Sequence, residues 1–308
     1  MHPAQSEGLT YRTIWRRFRI AVLLLVLVAV VFKYRDKVLA ESWVSDWSAP
    51  EVVSVVLLVP PGADEDELEL VADVQRYAEA GEGDATYVAL EHWFEQEFAR
   101  FHRGRAGFAP ISLRVREPWQ TAALPPNPPR ASTGVVEQTQ GMQAFLAYFQ
   151  ALEAQRAIPE QNAVFVVFYP EEDRERFTRV HSVADRASRR GFVFAPLTEA
   201  GRDLAVTDTA HELLHLFGAT DKYEGSACVF PEGYYEPFLE PRHPQRFAEV
   251  MALGIPQATG AREVTTFGFD EVRIGTATAR EIGWIDDVRA ERYYGQQDPA
   301  AGPRTDAD

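Results

Sequence analysis

Two stretches of this chain leave a strand no polar face to turn toward water. Residues 51–61 read EVVSVVLLVPP and residues 163–169 read AVFVVFY, near-continuous runs of β-branched and aromatic residues. Strands of that composition are stable only when both faces are covered, as they are in a sheet lying between layers of helices. The intervening segments supply the helices. ADEDELELVADVQRYAEA reads as an acid-fronted helix, and Tyr87, Leu90, Phe94, Phe98 and Phe101 recur at helical spacing, as do Met142, Phe145, Leu146, Phe149 and Leu152. Such aromatic stripes are read as core rather than as a cofactor box. ISLRVRE (111–117) alternates as a strand, LPPNPPR (124–130) is a loop or rigid connector, and GFVFAPL (191–197) is a further short strand. With no internal repeat in view, the pattern predicts an α/β (α+β) fold whose mixed sheet leads into one chemically loaded helix.

The N-terminus has a different character. Ile20 to Phe32 is an unbroken apolar run of 13 residues, preceded by Arg12, Arg16, Arg17 and Arg19 and followed by Lys33, Arg35 and Lys37. A spanning helix needs about 20 residues, which this run approaches if Trp15 and Tyr34 sit at the interfaces while Arg19 and Lys33 snorkel. The basic residues after it disfavour cleavage, so the expectation is an uncleaved, single-pass signal anchor with its N-terminus inside and the body extracytoplasmic. A cleaved signal and a secreted body is the alternative. The chain carries 31 basic against 46 acidic residues, which makes a nucleic-acid partner unexpected because phosphate binding relies on Lys and Arg. The single cysteine, Cys228, excludes an internal disulfide and a Cys-based zinc site.

The loaded helix contains TDTAHELLHLFGATDKY, residues 207 to 223. In H-E-L-L-H, His211 and His215 are four apart and share a helix face, so both imidazoles can reach one ion, with Glu212 beside them to accept a proton from water. Zinc suits imidazole and carboxylate ligands, and three protein ligands leave a fourth position open. With seven histidines in the chain, this motif arises by composition on the order of one time in a hundred. A capping box between Thr209 and Glu212 is the bland alternative. Gly218 suits a left-handed helix end, and the turn it allows can bring Asp221 back toward the histidines.

The whole string, H-E-x-x-H-x-x-G-x-x-D, resembles the metzincin clan of zinc endopeptidases, in the variant with aspartate as third ligand found in snapalysin-type proteases. The resemblance implies His211, His215 and Asp221 as ligands of one catalytic Zn2+, Glu212 as general base, and a methionine turn beneath the site, for which Met251 in AEVMALG is the candidate. It implies a metzincin-like mixed sheet with an active-site helix, a smaller C-terminal subdomain, and an edge strand that binds substrate, for which GFVFAPL is the candidate. TATAREIGW (276–284) would be the closing helix. Where some members of the clan carry an oxyanion-stabilising tyrosine two residues after the methionine, this chain has Leu253. Tyr223, Tyr234, Tyr235 and His243 are the candidates for that role or for substrate contact. If Asp221 instead pairs with Lys222, then Glu249, Asp270, Glu271 or Glu281 is needed as third ligand.

The expected organisation is an anchor over 1–40, a linker over 41–50, a catalytic domain over 51–290 divided near 218, and a disordered tail over 291–308. The expected function is membrane-anchored hydrolysis of peptide bonds in protein or peptide substrates. A zinc hydrolase of a non-peptide substrate and a non-catalytic, membrane-anchored assembly module are the alternatives.

Overall fold

A computed structural model describes residues 45–76, 86–102, 104–105, 107–126, 135–177, 182–259, 262–263, 269 and 271–297, with scattered positions between 15 and 27. The chain divides into two compact units, Met1–Trp43 and Val44–Asp308. In the first, the described positions are helical, and Trp15, Phe18, Leu23, Leu24 and Leu27 are exposed. Among the described residues no helix is long and apolar enough to cross a membrane. Most of the segment expected to be an anchor, including residues 28–40, lies outside the described residues.

The second unit is α/β with a mixed central sheet. Its elements begin with β1 (Glu51–Val59), α1 (Glu65–Arg76), α2 (Tyr87–Phe101), β2 (Ile111–Val115), β3 (Trp119–Gln120) and α3 (Val135–Arg156). They continue with β4 (Asn162–Tyr169), α4 (Arg174–Phe177), β5 (Val183–Asp185), β6 (Arg190–Pro196) and α5 (Glu199–Phe217). The sheet runs β2-β1-β4-β6-β5, with β3 beside the end of β1. All of its strands are parallel except β5, which runs antiparallel at one edge.

The two near-continuous apolar runs are the two adjacent central strands, paired Val55↔Val164 and Leu57↔Val166. Alternate residues of β4 face opposite layers, which is why the residues after Asn162 are apolar or aromatic on both sides. Ala163, Phe165, Val167 and Tyr169 join Phe145, Phe149 and Leu152 of α3 in one apolar layer. Each Val, Leu or Phe side chain among them contributes about 1.5–3 kcal/mol on burial. The opposite layer contains α5, where the Glu212 Cβ stands against Gly191 of β6. Met142, expected on the core stripe of α3, is 40% exposed.

Two expectations need correcting. GFVFAPL is the edge of the sheet only over its later residues, because β5 pairs outside its start, Val183↔Phe192 through Asp185↔Arg190. A strand of three residues carries too little periodicity to be read from sequence. The segment expected to be a tail begins in a helix, α7 in the numbering below, which runs Asp287–Gln297. Residues 298–308 lie outside the described residues.

After α5 the chain forms short elements: β7 (Tyr223–Glu224), β8 (Ala227–Cys228), β9 (Ala248–Glu249), a 3-10 turn (Val250–Ala252), β10 (Ile255–Pro256), β11 (Arg262–Glu263), β12 (Val272–Arg273), α6 (Thr276–Glu281) and α7. Helix α2 fastens this part to the sheet. Trp93 Nε1 donates to Val272 O at 3.0 Å, and buried Glu97 accepts from Ile274 N at 2.7 Å and from Arg100. Ahead of β1, Trp47 donates Nε1 to Ile282 O at 2.7 Å and packs edge-on against Phe217 and Trp284.

Candidate metal centre

Helix α5 begins well before the histidines. Thr198 caps it, accepting from Gly201 N at 3.1 Å, and a Cβ at Gly201 would stand 1.9 Å from Pro196 O, so only glycine fits this tight passage from β6 into the helix. Thr209 is therefore interior to the helix. Its hydroxyl donates to Ala205 O at 2.7 Å, which disposes of the capping box with Glu212.

The helix ends at Gly218, left-handed at φ +110, with its N–H returned to His215 O and Ala219 N donating to Leu214 O at 2.9 Å. The guanidinium of Arg186, from the β5–β6 turn, lies 2.9–3.0 Å from where a Cβ on Gly218 would stand. Gly218→Ala is expected to lower the stability of the metal-free protein by at least about 1–2 kcal/mol, the left-handed penalty alone, as read from its denaturation midpoint. An unchanged midpoint would show that this turn adapts freely.

The turn brings Asp221 to the two histidines. His211 Nε2 and His215 Nε2 are 3.0 Å apart, and Asp221 Oδ1 is 3.2 Å from each. The other ring nitrogens are already engaged, His211 Nδ1 with Val250 O at 3.1 Å and His215 Nδ1 with Ala219 O at 2.8 Å. Carbonyls only accept, so each Nδ1 carries a proton, and each ring when neutral presents an Nε2 lone pair. The two Nε2 atoms and a carboxylate oxygen thus converge on one point, where a proton or a metal cation must stand between them. The triangle also has the right size. Ligands at about 2.0–2.1 Å from a tetrahedral ion stand about 3.3 Å apart, close to the sides observed here.

His211, His215 and Asp221 form a group able to hold a metal ion. Burial pushes His211 down. For His215 burial acts the same way, but the Asp221 hydrogen bond and the Glu212 charge outweigh it and raise the group. For Asp221 burial would raise the carboxyl, yet the two histidines hold it well below the usual carboxylate range.

Glu212 is 2% exposed, and its Oε2 has no hydrogen-bond partner. Burial pushes its carboxyl up to about 8, and the nearby Asp208 adds to this while His215 opposes it. A dication at the triangle would draw it back down and leave an ionised base ready to accept a proton. Asp208, one helical turn before Glu212, was not singled out from sequence. It accepts from Ser182 Oγ at 3.0 Å, and burial pushes it up to about 6. Its signal was the i, i+4 spacing to Glu212 on one helix face.

Met251 is fully buried in the 3-10 turn, next to the Val250 carbonyl that holds His211. Its own carbonyl accepts Lys222 N–H at 2.9 Å. Two of the other carboxylates considered as third ligand, Glu249 and Glu281, are committed elsewhere. Glu249 accepts from Met251 N, Gly275 N and Thr278 Oγ1 at 2.7, 3.1 and 2.6 Å, and Glu281 binds Lys222 and Thr220. Lys222 therefore pairs with Glu281, not Asp221. Glu271 is exposed, and Asp270 lies outside the described residues.

The four candidates for oxyanion or substrate contact are spread along the intervening loop. Tyr223 is in the β7–β8 hairpin, Tyr234 packs on Phe230 and His243, and Tyr235 lies between Phe247 and Arg100. His243 Nδ1 is engaged with Pro256 O at 3.1 Å. Cys228 is buried beside Gly254 O. No family model matches the chain, and no curated protein matches it either.

Proposed function

We propose that the chain is a zinc-dependent metallopeptidase of metzincin type, held at the membrane by its N-terminal apolar segment with the catalytic unit outside the cytoplasm. The observation that carries this reading is the convergence of two imidazole Nε2 atoms and the Asp221 carboxylate beside a buried Glu212 with an unpartnered oxygen. Imidazole and carboxylate together favour zinc over softer or harder ions. His211, His215 and Asp221 would hold the zinc, which would supply Lewis acidity to a water and to the scissile carbonyl.

The protein does the rest. The Val250 and Ala219 carbonyls keep His211 and His215 in the tautomer and orientation that the site needs. Glu212 takes the proton from the attacking water and delivers it to the departing amine, which requires one group to be base and then acid. No Ser or Cys nucleophile is needed, in keeping with the enclosed position of Cys228. A purely structural metal site has no use for a buried carboxylate such as Glu212, and this favours an enzyme over an assembly module. Substrate docks as an extended strand on the edge formed by β5 and the far end of β6, since β5 pairs with β6 only from residue 190 to 192.

The test is hydrolysis of a generic unfolded protein by the full chain, lost on chelation and restored by zinc. Stoichiometric zinc with no cleavage of unfolded protein would overturn the peptidase reading. Zinc at a hundredfold excess over its Kd should stabilise the fold by about 2.7 kcal/mol. That raises Tm by about 5–10 °C for a unit of this size, measured by thermal scan with and without chelator. Membrane attachment predicts sedimentation with membranes in high salt and release by detergent.

A further inference from the structure

Asp221 is the one member of the metal triad that lies off the helix. Its side chain is 46% exposed, in the segment between Gly218 and β7. A loop carboxylate must be held to within about 0.5 Å of its working place by its surroundings. The residues on either side of it are held by a single group. Thr220 donates its backbone N–H to Glu281 Oε2 at 2.8 Å and its hydroxyl to Oε1 at 3.0 Å. Lys222, buried at 3% exposure, donates Nζ to both oxygens of the same carboxylate at 2.6 Å and to Thr220 Oγ1 at 2.7 Å. Thr220 and Lys222 thus share a partner while Asp221 between them reaches the histidines, the alternation of an extended segment.

The carboxylate that does this stands on α6, and the other end of α6 is fixed to the methionine turn. Glu249 joins the two, accepting from Met251 N and from Gly275 N and Thr278 Oγ1 at the start of α6. The turn in its place orients His211 through Val250 O. A short helix therefore links the support of one ligand to the support of another.

We propose that Glu281 is a positioning residue for the metal site. It clamps Thr220 and Lys222 so that Asp221 meets both imidazoles, and Lys222 neutralises it so that it does not compete for the ion. Glu281 acts through Asp221 and touches no ligand nitrogen. The proposal rests on the reading of Asp221 as a ligand.

The experiment is titration of the full chain with zinc chloride against a chromophoric chelator, as a double-mutant cycle. Glu281→Gln should weaken zinc binding 10–100-fold, the usual effect of removing a group that orients a ligand. In an Asp221→Ala background the same substitution should change the Kd less than twofold, because the ligand it acts through is gone. The charge-balanced pair Lys222→Met with Glu281→Gln, which leaves no buried charge unpaired, replaces the single variant in both backgrounds if that variant does not fold. A loss of less than tenfold overturns the proposal, and so does an equal loss in the Asp221→Ala background. A wild-type chain that takes up no zinc overturns the metal-site reading itself, and is thereby told apart from either result.

Discussion

Glu212→Gln should abolish turnover while leaving the metal in place. The amide keeps the size and position of the side chain but cannot accept the proton of the attacking water. The rate should fall by about 10²–10⁴-fold, the range supplied by a positioned general base. Zinc affinity should stay within about twofold, because Glu212 is not one of the three converging ligands. The metal-free fold should change little, since Glu212, pushed up to about 8 by burial, is already largely uncharged there and a neutral amide of the same size takes its place. Measuring kcat and bound zinc on the same preparation separates these outcomes. Hydrolysis surviving within threefold would end the proposed role of Glu212.

Asp221→Ala should instead remove the metal. Losing a group that merely orients a ligand costs about 10–100-fold in affinity, so losing the ligand itself should exceed about 100-fold. Elemental analysis after gel filtration should find no stoichiometric zinc, and activity should vanish with it. The chain should still fold, because the neighbours of Asp221 are held through Glu281 and Met251, whichever side chain stands between them. Full occupancy in the variant would mean that another group completes the site. Neither Glu249 nor Glu281 is free to do so.

The central strands were legible because burial on both faces writes itself into composition, and Val55, Val56, Leu57 and Leu58 meet Val164 to Val167 as their apolar runs require. The helix that bears the histidines was legible because a four-residue spacing has meaning only on a helix. Strand β5 was not legible: three residues at an edge show no period, and their pairing with β6 is decided by the turn between them. The work of Glu249 and Glu281 was hidden for another reason. From sequence each was a carboxylate at a plausible distance from the motif, and only the placement of Gly275, Thr278, Thr220 and Lys222 shows that their oxygens are already engaged. The conformation of Gly218 could be anticipated, whereas the guanidinium laid against it could not, because Arg186 arrives from a distant turn.

Trp47 has a bearing on how the protein comes into being. It lies just ahead of the first strand, yet its indole N–H is satisfied by Ile282, 235 residues later, and its ring is enclosed by Phe217 and Trp284. The cost of joining such distant segments must be met before the contacts reward it, which slows folding of domains rich in long-range pairing. A nascent chain halted before residue 282 leaves that indole uncovered and the seam between α5 and the closing segment open. Closure around Trp47 therefore waits on residues 282 and 284.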